Sequence, residues 1–92
     1  MSDIFVGDVG TEISLDCGID VANATVKKII VKKPDGKRVQ WVAQLDGTNA
    51  IKYTTALGDI DVAGDWDMQA YIELPTWRGK GSVATMKVKD PI

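Results

Sequence analysis

Four aspartates, Asp59, Asp61, Asp65 and Asp67, fall within nine positions of one another. Carboxylates this close are the donors that calcium takes, and calcium asks for six or more hard oxygens. Ile60 and Val62 interrupt the run, its spacing is not that of an EF-hand, and Asp67 belongs to an alternating strand pattern. No metal site is therefore assigned, and Asp61 is expected to bond loop amides. The chain has no histidine, which removes the commonest general base, any Ser-His-Asp or Cys-His arrangement and the usual zinc ligand. Its single cysteine, Cys17, alternates with Ile13 and Leu15 on an apolar face. A nucleophilic thiol needs exposure and a positive neighbour, so Cys17 reads as a buried structural thiol. Gly79, Lys80, Gly81 and Ser82 lack the first half of a phosphate loop. No catalytic residue and no cofactor is expected.

Binding chemistry is better represented. Trp77 and Arg78 lie in the run Pro75-Thr76-Trp77-Arg78-Gly79-Lys80, between two strand-like segments. Tryptophan and arginine are over-represented in binding hot spots, and loops at the end of a β-domain are common contact surfaces. A loop tryptophan also commonly caps its own core. Trp77, Arg78, Lys80 and Tyr71 are the candidate partner-contact residues, with Trp41 joining them if its strand is shifted by one residue. Lys27, Lys28, Lys32, Lys33, Lys37 and Arg38 form a basic stretch. Such a stretch can hold an acidic partner or phosphate. Lysines also protect an edge strand from pairing with another sheet, and this reading is preferred because no aromatic residues interleave with the charges.

The elements that position these residues are strands. Period-two alternation dominates and turn signals interrupt it at short intervals. Residues 4–6 open a first strand; Ile13, Leu15 and Cys17 alternate with Ser14 and Asp16 in a second; residues 26–33 form a third, with Ile29-Ile30-Val31 apolar on both faces. Pro34-Asp35-Gly36-Lys37 is a turn, because proline presets φ and glycine accepts the positive φ of the bend. Val39, Trp41, Ala43 and Leu45 then share one face of a fourth strand, Asp46-Gly47-Thr48-Asn49 turns the chain, and Ile51, Tyr53 and Thr55 alternate in a fifth. Residues 57–65 read as a crossing loop. Trp66, Met68, Ala70, Ile72 and Leu74 point inward from a sixth strand, and Asp67, Gln69, Tyr71 and Glu73 outward. Residues 75–81 read as a long hairpin tip, and Ser82, Ala84, Met86 and Val88 as the inward row of a seventh strand.

The 92 residues suffice for one domain, 1–92, and not for two. Apolar residues at 45% and charged residues at 26% describe a globular chain. The net charge of −2 draws neither nucleic acid nor anionic membrane, and one cysteine cannot form an intramolecular disulfide. Met1, Ser2 and Asp3 begin no secretory signal, and no apolar run approaches the ~20 residues that span a bilayer. The expected location is the cytoplasm of the producing cell, with later incorporation into an assembled particle allowed. Seven short alternating strands without helical periodicity predict an all-β, two-sheet antiparallel sandwich without a disulfide, with a five- or six-stranded barrel as its rival.

The stretch Asp61-Val62-Ala63-Gly64-Asp65-Trp66-Asp67-Met68 resembles the immunoglobulin signature Asp-x-Ala/Gly-x-Tyr-x-Cys of that family's sixth strand. The resemblance implies an immunoglobulin-like sandwich with Trp66 at the aromatic corner. Met68 stands in place of the second cysteine and Cys17 in place of the first, so thiol packs against thioether. Trp66 lacks a phenolic hydroxyl, and its indole N–H then needs another acceptor. Lys32-Lys33-Pro34-Asp35-Gly36-Lys37, Trp41 and Gly64-Asp65-Trp66 also resemble immunoglobulin-like domains on tailed-phage virion proteins, such as baseplate, fibre-attachment and decoration proteins. That second resemblance implies a non-catalytic interaction or structural module, a virion accessory or assembly domain that self-associates or docks on a protein partner. The alternatives are a carbohydrate-binding module that stacks sugars on Trp77, Tyr71 and Trp41, and a weak nucleic-acid binder using Lys27 to Arg38.

Overall fold

The computed structural model describes residues 4–90, apart from the side chain of Ser82. Every regular element among them is a strand: β1 (Ile4–Phe5), β2 (Glu12–Asp16), β3 (Val26–Lys32), β4 (Arg38–Val42), β5 (Gln44–Asp46), β6 (Ala50–Thr54), β7 (Gly64–Leu74) and β8 (Trp77–Lys89). They form two sheets, one of five strands in the order β1-β8-β7-β3-β4 and one of three in the order β2-β6-β5. The five-stranded sheet curls into half a barrel. All pairs are antiparallel except β1 with β8, where Ile4 and Phe5 run parallel to Val88 and Lys89.

Alternation sets which side chains enter the core. Ile13 and Leu15 of β2, Ile29 and Val31 of β3, and Trp66, Met68, Ala70 and Ile72 of β7 are buried, while Glu12, Ser14, Asp16 and Asp67 between them are exposed. Both sheets contribute to this single apolar cluster, and each inward side chain of a domain this small carries a large share of its stability. Cys17 lies at the rim, half-buried. Among the described residues no disulfide exists.

Three local expectations require correction. The segment 39–45 is not one strand. β4 ends at Val42, the buried Ala43 donates its N–H to Lys27 O at 2.9 Å, and the chain then joins the other sheet as β5. Val39, Trp41, Ala43 and Leu45 keep one inward phase across the switch, so alternation alone cannot reveal it. This makes eight strands among the described residues instead of seven. β3 is not an edge strand either, because β4 and β7 flank it on both sides. Its lysines therefore do not protect an edge.

The third correction concerns the tip between the last two strands. Leu74 pairs directly with Trp77, leaving only Pro75 and Thr76 as the turn. The long loop expected over 75–81 is strand instead, with its register shifted by one. Gln69 pairs with Val83 but Tyr71 pairs with Lys80, so Gly81 and Ser82 together stand opposite Ala70. This is a β-bulge, and it exchanges the two faces of β8 on either side of it. Gln69 Nε2 donates to Gly81 O at 2.7 Å and pins the bulge. Ser82, expected in the inward row, lies outside the described side chains; Met86 and Val88 are buried there and Ala84 is half-buried.

Candidate protein interface on the five-stranded sheet

Directly opposed residues of antiparallel strands present their side chains to the same face. The register therefore divides the four candidate contact residues. Tyr71 with Lys80 and Glu73 with Arg78 face outward, whereas Trp77 pairs with Leu74 on the core-facing side, at its open end. Trp77 is 47% exposed, and its ring lies over Gly79, where a Cβ would overlap it. Trp41 is buried at 6% exposure, its ring 4.7 Å from that of Tyr53 in a stacked pair and 6.3 Å from that of Trp66. Trp41 is thus a core residue. Trp77 and Tyr71, on opposite faces, cannot form one platform for a sugar ring.

The basic stretch is likewise divided. Lys28 and Lys32 project outward from β3, and Arg38 stands beside Lys32 on β4. Lys27 turns to the other side, where its Nζ donates to Ala24 O at 3.3 Å. Lys33 Nζ contacts both carboxylate oxygens of Asp61 at 3.0 Å and lies 5.5 Å from the centroid of the Trp66 ring. Asp61 therefore binds an ammonium instead of loop amides. The amide-capping aspartate is Asp59, which accepts from Ala56 N at 2.7 Å and from the Tyr53 hydroxyl. That bond, ahead of burial and the Asp59 charge, pushes the Tyr53 phenol up to about 12. Asp67 accepts from Thr85 Oγ1 at 3.1 Å. The four clustered aspartates thus diverge, and no group of three or more metal-type donors converges among the described residues.

What the sheet assembles instead is an outward face that the linear sequence conceals. Across it run three rows: Val42, Lys28, Tyr71 and Lys80; Gln40, Ile30, Gln69 and Val83; Arg38, Lys32, Asp67 and Thr85. Val42 and Val83 are 76% and 60% exposed, and Ile30 lies half-buried between them. The face carries seven cations (Lys28, Lys32, Arg38, Arg78, Lys80, Lys87 and Lys89) against three carboxylates, Asp65, Asp67 and Glu73. The remaining described residues hold four cations and nine carboxylates. A chain of net charge −2 thus presents one positive face, while the outward face of β2-β6-β5 displays Glu12, Asp16 and Asp46 against Lys52.

Tyr71 donates its hydroxyl to Glu73 Oε2 at 2.9 Å. That bond, with desolvation and the carboxylate charge, raises the Tyr71 phenol, and Arg78 opposes the rise. Burial, then the Asp16 charge, pushes the Cys17 thiol up, which keeps it in its unreactive protonated form. No protein-family model, curated protein or solved structure matches the chain.

Proposed function

We propose that this chain is an immunoglobulin-like β-sandwich acting as a non-catalytic protein-interaction module, an accessory or assembly domain of a tailed-phage-type particle. It is made in the cytoplasm of the producing cell and then carried on that particle. The strand order supports the fold: sheets ordered β1-β8-β7-β3-β4 and β2-β6-β5 resemble the way variable-type immunoglobulin domains divide their strands between two sheets. Trp66 supports it too. Its Nε1 donates to Val62 O at 2.9 Å, the backward bond that the corner tyrosine of that family makes through its hydroxyl.

The observation that carries the functional reading is the outward face of the five-stranded sheet. Exposed apolar side chains, Val42 and Val83, sit there among cations on regular strands, where a solvent-facing sheet normally displays polar groups. A rigid β surface of this kind suits docking on another protein. The virion setting rests on the resemblance of the lysine-rich strand, the Pro34-Asp35-Gly36 turn and the Gly64-Asp65-Trp66 corner. The test is sedimentation velocity of the chain alone and mixed with particles assembled from the structural genes that neighbour its own. Co-sedimentation is expected; a protein that stays monomeric and remains free of every such particle counts against the reading.

A further inference from the structure

Lys28, Lys32, Arg38 and Lys80 share the outward face of the five-stranded sheet, and none of their side chains has a hydrogen-bonded or ion-paired partner among the described residues. The carboxylates beside them are already engaged: Asp67 accepts from Thr85, and Glu73 from Tyr71. Two adjoining depressions, of about 260 and 340 Å³, lie between these cations and share Ile30 and Lys80. One is rimmed by Lys32, Arg38 and Val83, the other by Lys28, Gln40 and Tyr71. The result is a shallow trough with an apolar centre, bordered by these four cations and by the engaged carboxylates Asp67 and Glu73.

We infer that this trough docks an extended acidic segment of a partner protein, with carboxylates over the lysines and an apolar side chain over Ile30 and Val83. The inference rests on the interaction-module reading and names the surface and its partner chemistry. Lys28, Ile30 and Lys32 recur at every second residue of one strand. Side chains on one face of an extended chain repeat at the same interval of about 6.5–7 Å. An acidic residue, an apolar residue and a second acidic residue, each two positions apart, therefore match the three in step. Complementary charge fixes register and speeds encounter, and the apolar centre excludes water. A nucleic acid fits less well, because Asp65, Asp67 and Glu73 interrupt the cations and Tyr71, the aromatic ring beside the trough, is held by Glu73.

The experiment is a nitrogen-15 NMR titration of the full chain. Its probes are the end-capped peptide Glu-Ser-Val-Ser-Glu, its counterpart Lys-Ser-Val-Ser-Lys, and a thymidine oligonucleotide. The expected result is saturable shifts confined to the amides of Lys28, Ile30, Lys32, Gln40, Gln69 and Val83 with the acidic peptide. The lysine peptide should bind at least about tenfold more weakly, as should the acidic peptide to a Lys32→Glu, Arg38→Glu double variant. Both substituted side chains are exposed, so the variant's own spectrum reports whether it is folded. Equal response to both peptides, shifts on the three-stranded sheet, or tighter oligonucleotide binding at the same amides would each overturn the inference. So would concentration-dependent shifts of these amides without peptide, which would make a second copy the occupant. Particle co-sedimentation that persists unchanged in the double variant would discard the trough yet leave the interaction-module reading standing.

Discussion

Trp66 Nε1 donates to the carbonyl of Val62, four residues earlier, at 2.9 Å, and so ties the start of β7 to the loop that leads into it. The Trp66 ring is fully buried, the Lys33 ammonium lies over it, and Lys33 pairs with Asp61 of the same loop. One side chain thus anchors a loop, fills the core and receives a cation. Trp66→Phe removes the bond, worth about 1 kcal/mol, and leaves a small void that costs about 1–2 kcal/mol more. Urea unfolding should show a loss of about 2–3 kcal/mol in total. The same change at Trp77 should cost under about 0.5 kcal/mol, since its ring is half in solvent. Equal losses at both positions would mean that the corner bond and the burial contribute nothing special.

Gly64 sits two residues earlier with φ at +130°, a conformation that side chains disfavour, and a Cβ there would come within 2.7 Å of Pro34 Cγ and 2.8 Å of Pro34 Cβ. The turn between β3 and β4 is thereby pressed against the start of β7. Gly64→Ala should destabilise by about 2–4 kcal/mol, part backbone strain and part collision. Adding Pro34→Ala removes the ring Cγ and should recover some of the collision but none of the strain. A double-mutant cycle in urea checks this: strict additivity would show that the two residues do not meet.

The inward rows were legible because alternation is a local property: Ile13 and Leu15, Ile29 and Val31, and Trp66, Met68, Ala70 and Ile72 face the core as the pattern demands. What escaped was everything that breaks or ignores local period. The sheet switch at Ala43 preserves the phase of Trp41 and Leu45, so nothing in the residue pattern marks it. The bulge at Gly81 and Ser82 inverts the phase, and its one visible sign was a glycine in a segment already rich in turn residues. Val21 and Ile60, among the most buried side chains, stand in loops where no period exists to announce them. The outward trough was hidden for a related reason. Its residues come from four strands, and only the pairing register brings Lys80 and Val83 near Lys28 and Ile30. The basic stretch was visible as composition, but the turn of Lys27 and Lys33 away from that face was not.

Tyr53 gives the fold an alkaline signature. Its hydroxyl donates to Asp59, so deprotonation would both lose the bond and set two negative charges together. The folded-state value is raised from the ordinary 10 to about 12, which means that folding favours the neutral phenol. This contribution to stability is present in full below about pH 10 and is lost as the pH rises from there through about 12. Ultraviolet titration of the phenolates should show Tyr53 ionising last, with that late step absent from Tyr53→Phe and moved toward pH 10 in Asp59→Asn. A Tyr53 phenolate that forms near pH 10 in the intact protein would show that the Asp59 bond does not persist in solution.

The final prediction separates the two surfaces that meet at the β7–β8 hairpin. Trp77 and Lys80 are three residues apart, yet the register places them on opposite faces, Trp77 beside Leu74 and Lys80 beside Tyr71. Gly79→Ala would put a methyl group into the space of the Trp77 ring and drive it into solvent. Added side-chain bulk at a strand glycine also restores some backbone preference, so net stability should change by less than about 1 kcal/mol. Acrylamide quenching should then rise for Trp77 alone, because Trp41 and Trp66 remain buried. If particles are held by the outward trough, neither Gly79→Ala nor Trp77→Ala should weaken their association, whereas Lys32→Glu should. If the tip tryptophan is the anchor, the pattern reverses: Trp77→Ala releases the particle and Lys32→Glu does not. Binding measured on these three variants assigns the interface to one face of the hairpin or the other.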